Sequence, residues 1–62
     1  MQLKKCCEDF VDNSKPRKPK HGEFDETHVC STCGKKIKIT FECKNALGID
    51  EIICNPINAH YV

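Results

Sequence analysis

Six cysteines and three histidines stand in a chain of 62 residues. The sharpest pattern among them is Cys30-Ser31-Thr32-Cys33-Gly34-Lys35. Two thiolates at this spacing can face one tetrahedral ion when the backbone between them turns tightly. Gly34 offers the positive φ that closes such a turn. Backbone N–H groups in the turn then face the sulfurs, and Lys35 and Lys36 add positive charge beside them. Zinc bound by sulfur is usually four-coordinate, so two further ligands are needed. The vicinal pair Cys6-Cys7 leads the candidates. Neighbours on a helix diverge by about 100°, so both reach one ion only from a helix end. Otherwise one ligates while the other fills core, and His21 or His28 completes a Cys₃His site. His28 lies two residues before Cys30 and shares its face on a strand.

Cys43 lies ten residues beyond Cys33. A straight strand would carry it about 30 Å from the turn. It shares a face with Ile37, Ile39 and Phe41 and reads as a buried core thiol. Cys54, in the run Ile52-Ile53-Cys54, reads the same way. The alternatives are that Cys43 and Cys54 pair as a disulfide or hold half of a second metal site.

The elements that must position these residues follow from periodicity. Leu3, Cys6, Cys7, Phe10 and Val11 recur at the spacing of one helix face, which predicts a helix from Leu3 to Val11. Residues 13–22 form a basic, proline-containing linker or loop. Glu23 to Val29 is expected to be a strand, and Lys36 to Cys43 is the clearest strand, alternating apolar with polar residues. The two make a hairpin with Cys30 and Cys33 at its tip. Asn45 to Asp50 reads as a turn. Ile49 to Cys54 is a short strand or a helical turn, the strand being favoured, and Asn55-Pro56 is expected to end it. The tail can pack back on the hairpin through Ile57, Tyr61 and Val62. The fold class expected is small α+β, one metal-stapled domain over residues 1–62.

A Cys-x-x-Cys-Gly-Lys tip between two strands resembles the zinc knuckle of a zinc ribbon. The likeness runs from about Glu23 to Cys43, a third of the chain. A full zinc ribbon has two knuckles. Here the Cys6-Cys7 pair stands in place of the other, an arrangement similar to short Cys-Cys … Cys-x-x-Cys zinc proteins of bacteria and their phages. The resemblance implies a structural metal and leaves the partner open, since zinc ribbons serve many partners.

Composition agrees with a stapled fold. A chain this short buries only about 60% of its unfolded surface. Hydrophobic residues, cysteines included, are 39%, with three Phe, one Tyr and no Trp. A core this thin needs disulfides or a metal. Met1 to Lys5 leads at once into Cys6-Cys7-Glu8-Asp9, without the apolar stretch of a secretory signal. A cytoplasmic location is therefore expected, where cysteines are metal ligands more often than disulfides. The site Cys6, Cys7, Cys30 and Cys33 would hold zinc, although a tetrahedral Cys₄ site suits iron as well.

Size excludes a large catalytic cleft or a nucleotide-binding α/β domain. The longest apolar run is far short of the ~20 residues of a membrane helix, so no membrane partner is expected. A thioredoxin-like role for Cys30 and Cys33 would need a βαβ context. A deaminase would need a His-x-Glu motif. The chain is expected not to be an enzyme. Lys15, Arg17, Lys18 and Lys20 form a run without an acid, and Lys35 and Lys36 follow the knuckle. These six cations are the candidate nucleic-acid contacts, though a solvated loop explains a basic run equally. Glu23, Asp25 and Glu26 read as a solvated strand edge. Three functions stay open: a structural-zinc module contacting nucleic acid or a protein that processes it, a protein-interaction adaptor or phage regulator, and a metal-handling or redox-sensing thiol protein. The oligomeric state is open, with a dimer compatible with so small a core.

Overall fold

The computed structural model describes residues 3–45, 48 and 51–62. One helix, α1 (Lys5–Asp12), is followed by three strands, β1 (Gly22–Val29), β2 (Lys36–Asn45) and β3 (Ile52–Tyr61). The strands form one antiparallel sheet in the order β1-β2-β3. The chain is thus small α+β, and the expected helix and hairpin are present. The turn expected from Asn45 to Asp50 falls largely on residues 46, 47, 49 and 50, outside the described residues. Gly48 within it has a φ of +82°.

The alternation in β2 makes it the centre of the core. Ile37, Ile39, Phe41 and Cys43 are all but fully buried. Their partners across the sheet are His28, Glu26, Phe24 and Gly22 on β1, and Tyr61, Ala59, Pro56 and Cys54 on β3. Burying a side chain such as Phe41 or Ile39 contributes about 1.5–3 kcal/mol. Cys7 and Val11 of α1 close over this face, with Leu3, Cys6 and Phe10 packed around them. The opposite face is mostly polar, with Val29 and Ile53 half-exposed on it. There Thr40 Oγ1 donates to Asp25 Oδ1 at 2.6 Å, and Lys38 pairs with Asp25 at 3.6 Å.

The helix ends as its sequence demands. Asn13 and Ser14 turn their side chains back onto the carbonyls of Asp9 (2.8 Å) and Phe10 (2.7 Å), which also share the Asn13 N–H at 3.2 Å. The C-terminal piece departs from expectation. Neither short nor ended by Asn55-Pro56, β3 runs ten residues straight through Pro56. Two features permit this. β3 is an edge strand, where a missing N–H is tolerated, and the register slips between Thr40 and Phe41, so that Ile57 is bulged out.

Candidate metal centre

Residues 30–35 join β1 to β2. The Cys30 N–H donates to the Lys35 carbonyl at 2.9 Å and the Gly34 N–H to the Cys30 carbonyl at 2.8 Å. Gly34 has the positive φ, +75°, that the turn requires. The backbone N–H groups of Cys33 and Thr32 point at the Cys30 sulfur and bring its pKa down to about 7. The knuckle read from Cys-x-x-Cys-Gly-Lys is therefore formed, with one sulfur already held near its thiolate form.

Cys6 and Cys7 occupy the first turn of α1. At a helix end the two adjacent side chains can converge, and they do. The four sulfurs of Cys6, Cys7, Cys30 and Cys33 all lie within 4.8 Å of one another. Cys7 Sγ stands 3.4 Å from Cys33 Sγ and 4.0 Å from Cys6 Sγ. A tetrahedron of zinc–sulfur bonds about 2.3 Å long has edges of about 3.8 Å. These separations bracket that edge, so the donor set fits one tetrahedral ion by both number and spacing.

Electrostatics gives the same fit a cause. Burial, then the neighbouring thiols Cys7 and Cys33, push Cys6 up to about 12. At Cys7 the Tyr61 hydroxyl acts to lower the pKa, but burial and the bonds to Cys33 and Cys30 outweigh it and leave the thiol above its ordinary value. Two unit charges 4 Å apart repel by about 4 kcal/mol at an effective dielectric of 20. Four thiolates at these distances therefore exclude one another unless a cation sits among them. Such an ion would displace the remaining protons.

The tyrosine at the end of β3 is the one non-cysteine side chain, among the described residues, that hydrogen-bonds a cluster sulfur. Tyr61 Oη donates to Cys7 Sγ at 3.2 Å and accepts from the Lys4 N–H at 3.0 Å. No motif marks Tyr61 in the sequence. Only the folding of β3 along β2 brings it to the knuckle.

The remaining candidates lie elsewhere. Cys43 and Cys54 face each other in register across β2 and β3 and form a disulfide. They are neither free core thiols nor ligands of the cluster. The disulfide is the alternative that the sequence left open, in place of the buried core thiols it favoured. His21 is exposed ahead of β1. His28 does face inward like Cys30, but it packs between Phe10 and Phe41, and its Nε2 lies 2.9 Å from Glu26 Oε1.

Of the three acids read as a solvated edge, Glu26 is not solvated. Its side chain is 14% exposed, and its carboxylate accepts the N–H groups of Arg17 at 2.9 Å and Lys18 at 3.4 Å. The linker is thus clasped to β1, with Pro16 buried beneath it. Lys15, Arg17, Lys18, Lys20, Lys35 and Lys36 are all exposed. Lys20 Nζ lies over the Phe24 ring and Lys35 Nζ over the Tyr61 ring, at 5.2 and 5.6 Å from the centroids.

Among the described residues no helix is long and apolar enough to cross a membrane. No family model matches the chain, and no curated protein or solved structure matches it.

Proposed function

We propose that Cys6, Cys7, Cys30 and Cys33 hold one structural zinc ion, and that the metallated chain is a binding module rather than an enzyme. The observation that carries this reading is the meeting of four sulfurs from two separate segments within 4.8 Å. Two of them come from a helix end and two from a knuckle. All four positions are filled by the protein, which suits a structural metal and leaves no open position for catalysis. The ion would tie α1 to the sheet, and the zinc-ribbon resemblance of the knuckle agrees with that role.

The partner class favoured is nucleic acid, or a protein that processes it. Support comes from the linker. Its backbone is clasped by Glu26, so the side chains of Arg17 and Lys18 are presented from a fixed rather than a floppy segment. Cations fixed in place lose less entropy on meeting a phosphate backbone.

Elemental analysis of protein purified without added metal tests the first part, with one zinc per chain as the expected result. Titration into a fluorescent oligonucleotide at several salt concentrations tests the second. Affinity should fall steeply with salt and drop when Lys15, Arg17, Lys18 and Lys20 are changed together to Ala. A zinc-loaded chain that ignores the oligonucleotide would leave the adaptor reading in its place.

A further inference from the structure

We propose that Tyr61 is a positioning residue of the metal centre, its phenol donating to the Cys7 sulfur so that metal binding and the docking of β3 against the start of α1 are one event. This deepens the metal-site reading and rests on it. The direction of the hydrogen bonds is forced. The Lys4 main-chain N–H can only donate, so it takes a lone pair of the phenol oxygen. The phenol proton is then free to point at Cys7 Sγ, 3.2 Å away. A metal-bound thiolate has no proton and can only accept, so loading the metal strengthens this bond as a charge-assisted one.

The ring is held for this task from several sides. Tyr61 is in register with Ile37, the first buried residue of β2. The ladder continues one residue past it, with the Val62 N–H donating to the Lys36 carbonyl at 3.2 Å. Lys35, next to the knuckle glycine, covers the ring. One phenol therefore touches the three parts that must come together: the helix start through Lys4, a ligand through Cys7, and the knuckle through Lys35. A donor that orients a ligand is a recurring device of metal sites, and its removal typically lowers metal affinity about 10- to 100-fold.

Two measurements on the full chain test this. In Tyr61→Phe the ring stays and only the hydroxyl is lost. Chelator competition should show zinc affinity lower by about 10- to 100-fold. With cobalt in place of zinc, the sulfur-to-metal charge-transfer band should move to lower energy, because an unbonded thiolate is the better electron donor. A merely structural role would not move that band. The second measurement needs no variant. Tyr61 is the one tyrosine in a chain without tryptophan, and zinc is spectroscopically silent. Tyrosine emission should fall in step with zinc uptake and level off at one equivalent, because a phenol bonded to a thiolate is quenched. A wild-type chain that binds zinc with no change in emission, or a Tyr61→Phe chain with unchanged affinity and cobalt spectrum, overturns the inference and leaves the metal site standing. A wild-type chain that binds neither metal overturns the metal site itself.

Discussion

Cys7 Sγ and Cys33 Sγ stand 3.4 Å apart although 26 positions separate them in the chain. The contact joins the helix to the far tip of the hairpin. An eight-residue helix needs such a tether, because isolated helices under about 12–15 residues are marginal in water. Closing a loop of this length costs about 3 kcal/mol beyond a constant, and hydrogen bonds between thiols are too weak to offset that. An ion shared by four sulfurs can, since structural zinc sites bind with about 10–16 kcal/mol. Chelation should therefore abolish the helical circular-dichroism signal of α1. Cys33→Ser should do the same at micromolar zinc. Helicity that survives complete chelation would show that packing alone holds α1.

The six sulfurs divide into a cluster and a covalent pair, and the two staples should separate on mutation. A Cys43→Ser/Cys54→Ser double variant opens a loop of separation 11, which should lower stability by about 3 kcal/mol on the chain-entropy account. Zinc stoichiometry should stay at one per chain. Denatured, metal-stripped wild-type protein kept from reductant should show four reactive thiols. Six would mean that Cys43 and Cys54 are free thiols in solution.

Much of this was legible in the chain. Alternation from Lys36 to Cys43 reported β2 faithfully, because one face of that strand is buried and the other solvated. Cys30-x-x-Cys33-Gly34 reported its own turn, because local backbone geometry determines it. What failed to show depends on register. Cys43 and Cys54 look alike as core thiols until β3 is laid along β2. Pro56 reads as a strand stop unless the strand is known to be an edge with a bulge. Glu26 and Tyr61 act through partners 9 and 54 positions away, and no periodicity encodes such a distance.

Glu26 supplies a pH test. Burial pushes its carboxyl up, but the N–H of Arg17, the His28 ring and the N–H of Lys18 outweigh it, so the folded-state pKa lies below the ordinary 4.5. A carboxylate depressed by folding contributes stability in full above its unfolded pKa and loses it as pH falls through the folded one. Glu26→Gln should therefore cost about 1–2 kcal/mol near pH 6. The difference from wild type should shrink below pH 4.5 and vanish once Glu26 is protonated in both states. Denaturant titrations of both proteins across this range, each with zinc present, cancel the shared effect of acid on the thiolates. A difference that persists unchanged into acid would mean that the clasp does not depend on the charge of Glu26.

Gly34 isolates backbone geometry from everything else at the metal centre. Its φ is +75° and a Cβ placed there meets nothing within 4 Å, so Ala would suffer no clash with neighbours. The cost would be the left-handed conformation alone, about 1–2 kcal/mol for an ordinary L-residue. Asn, which tolerates this region better, should cost less than Ala. The penalty falls on the turn whose N–H groups hold the Cys30 sulfur near its thiolate form, so it should appear in zinc affinity as well as in thermal stability. The expected order of zinc affinity is Gly, then Asn, then Ala, with roughly 5- to 30-fold between the ends, the equivalent of 1–2 kcal/mol. Equal affinities for all three would mean that the knuckle relaxes without cost.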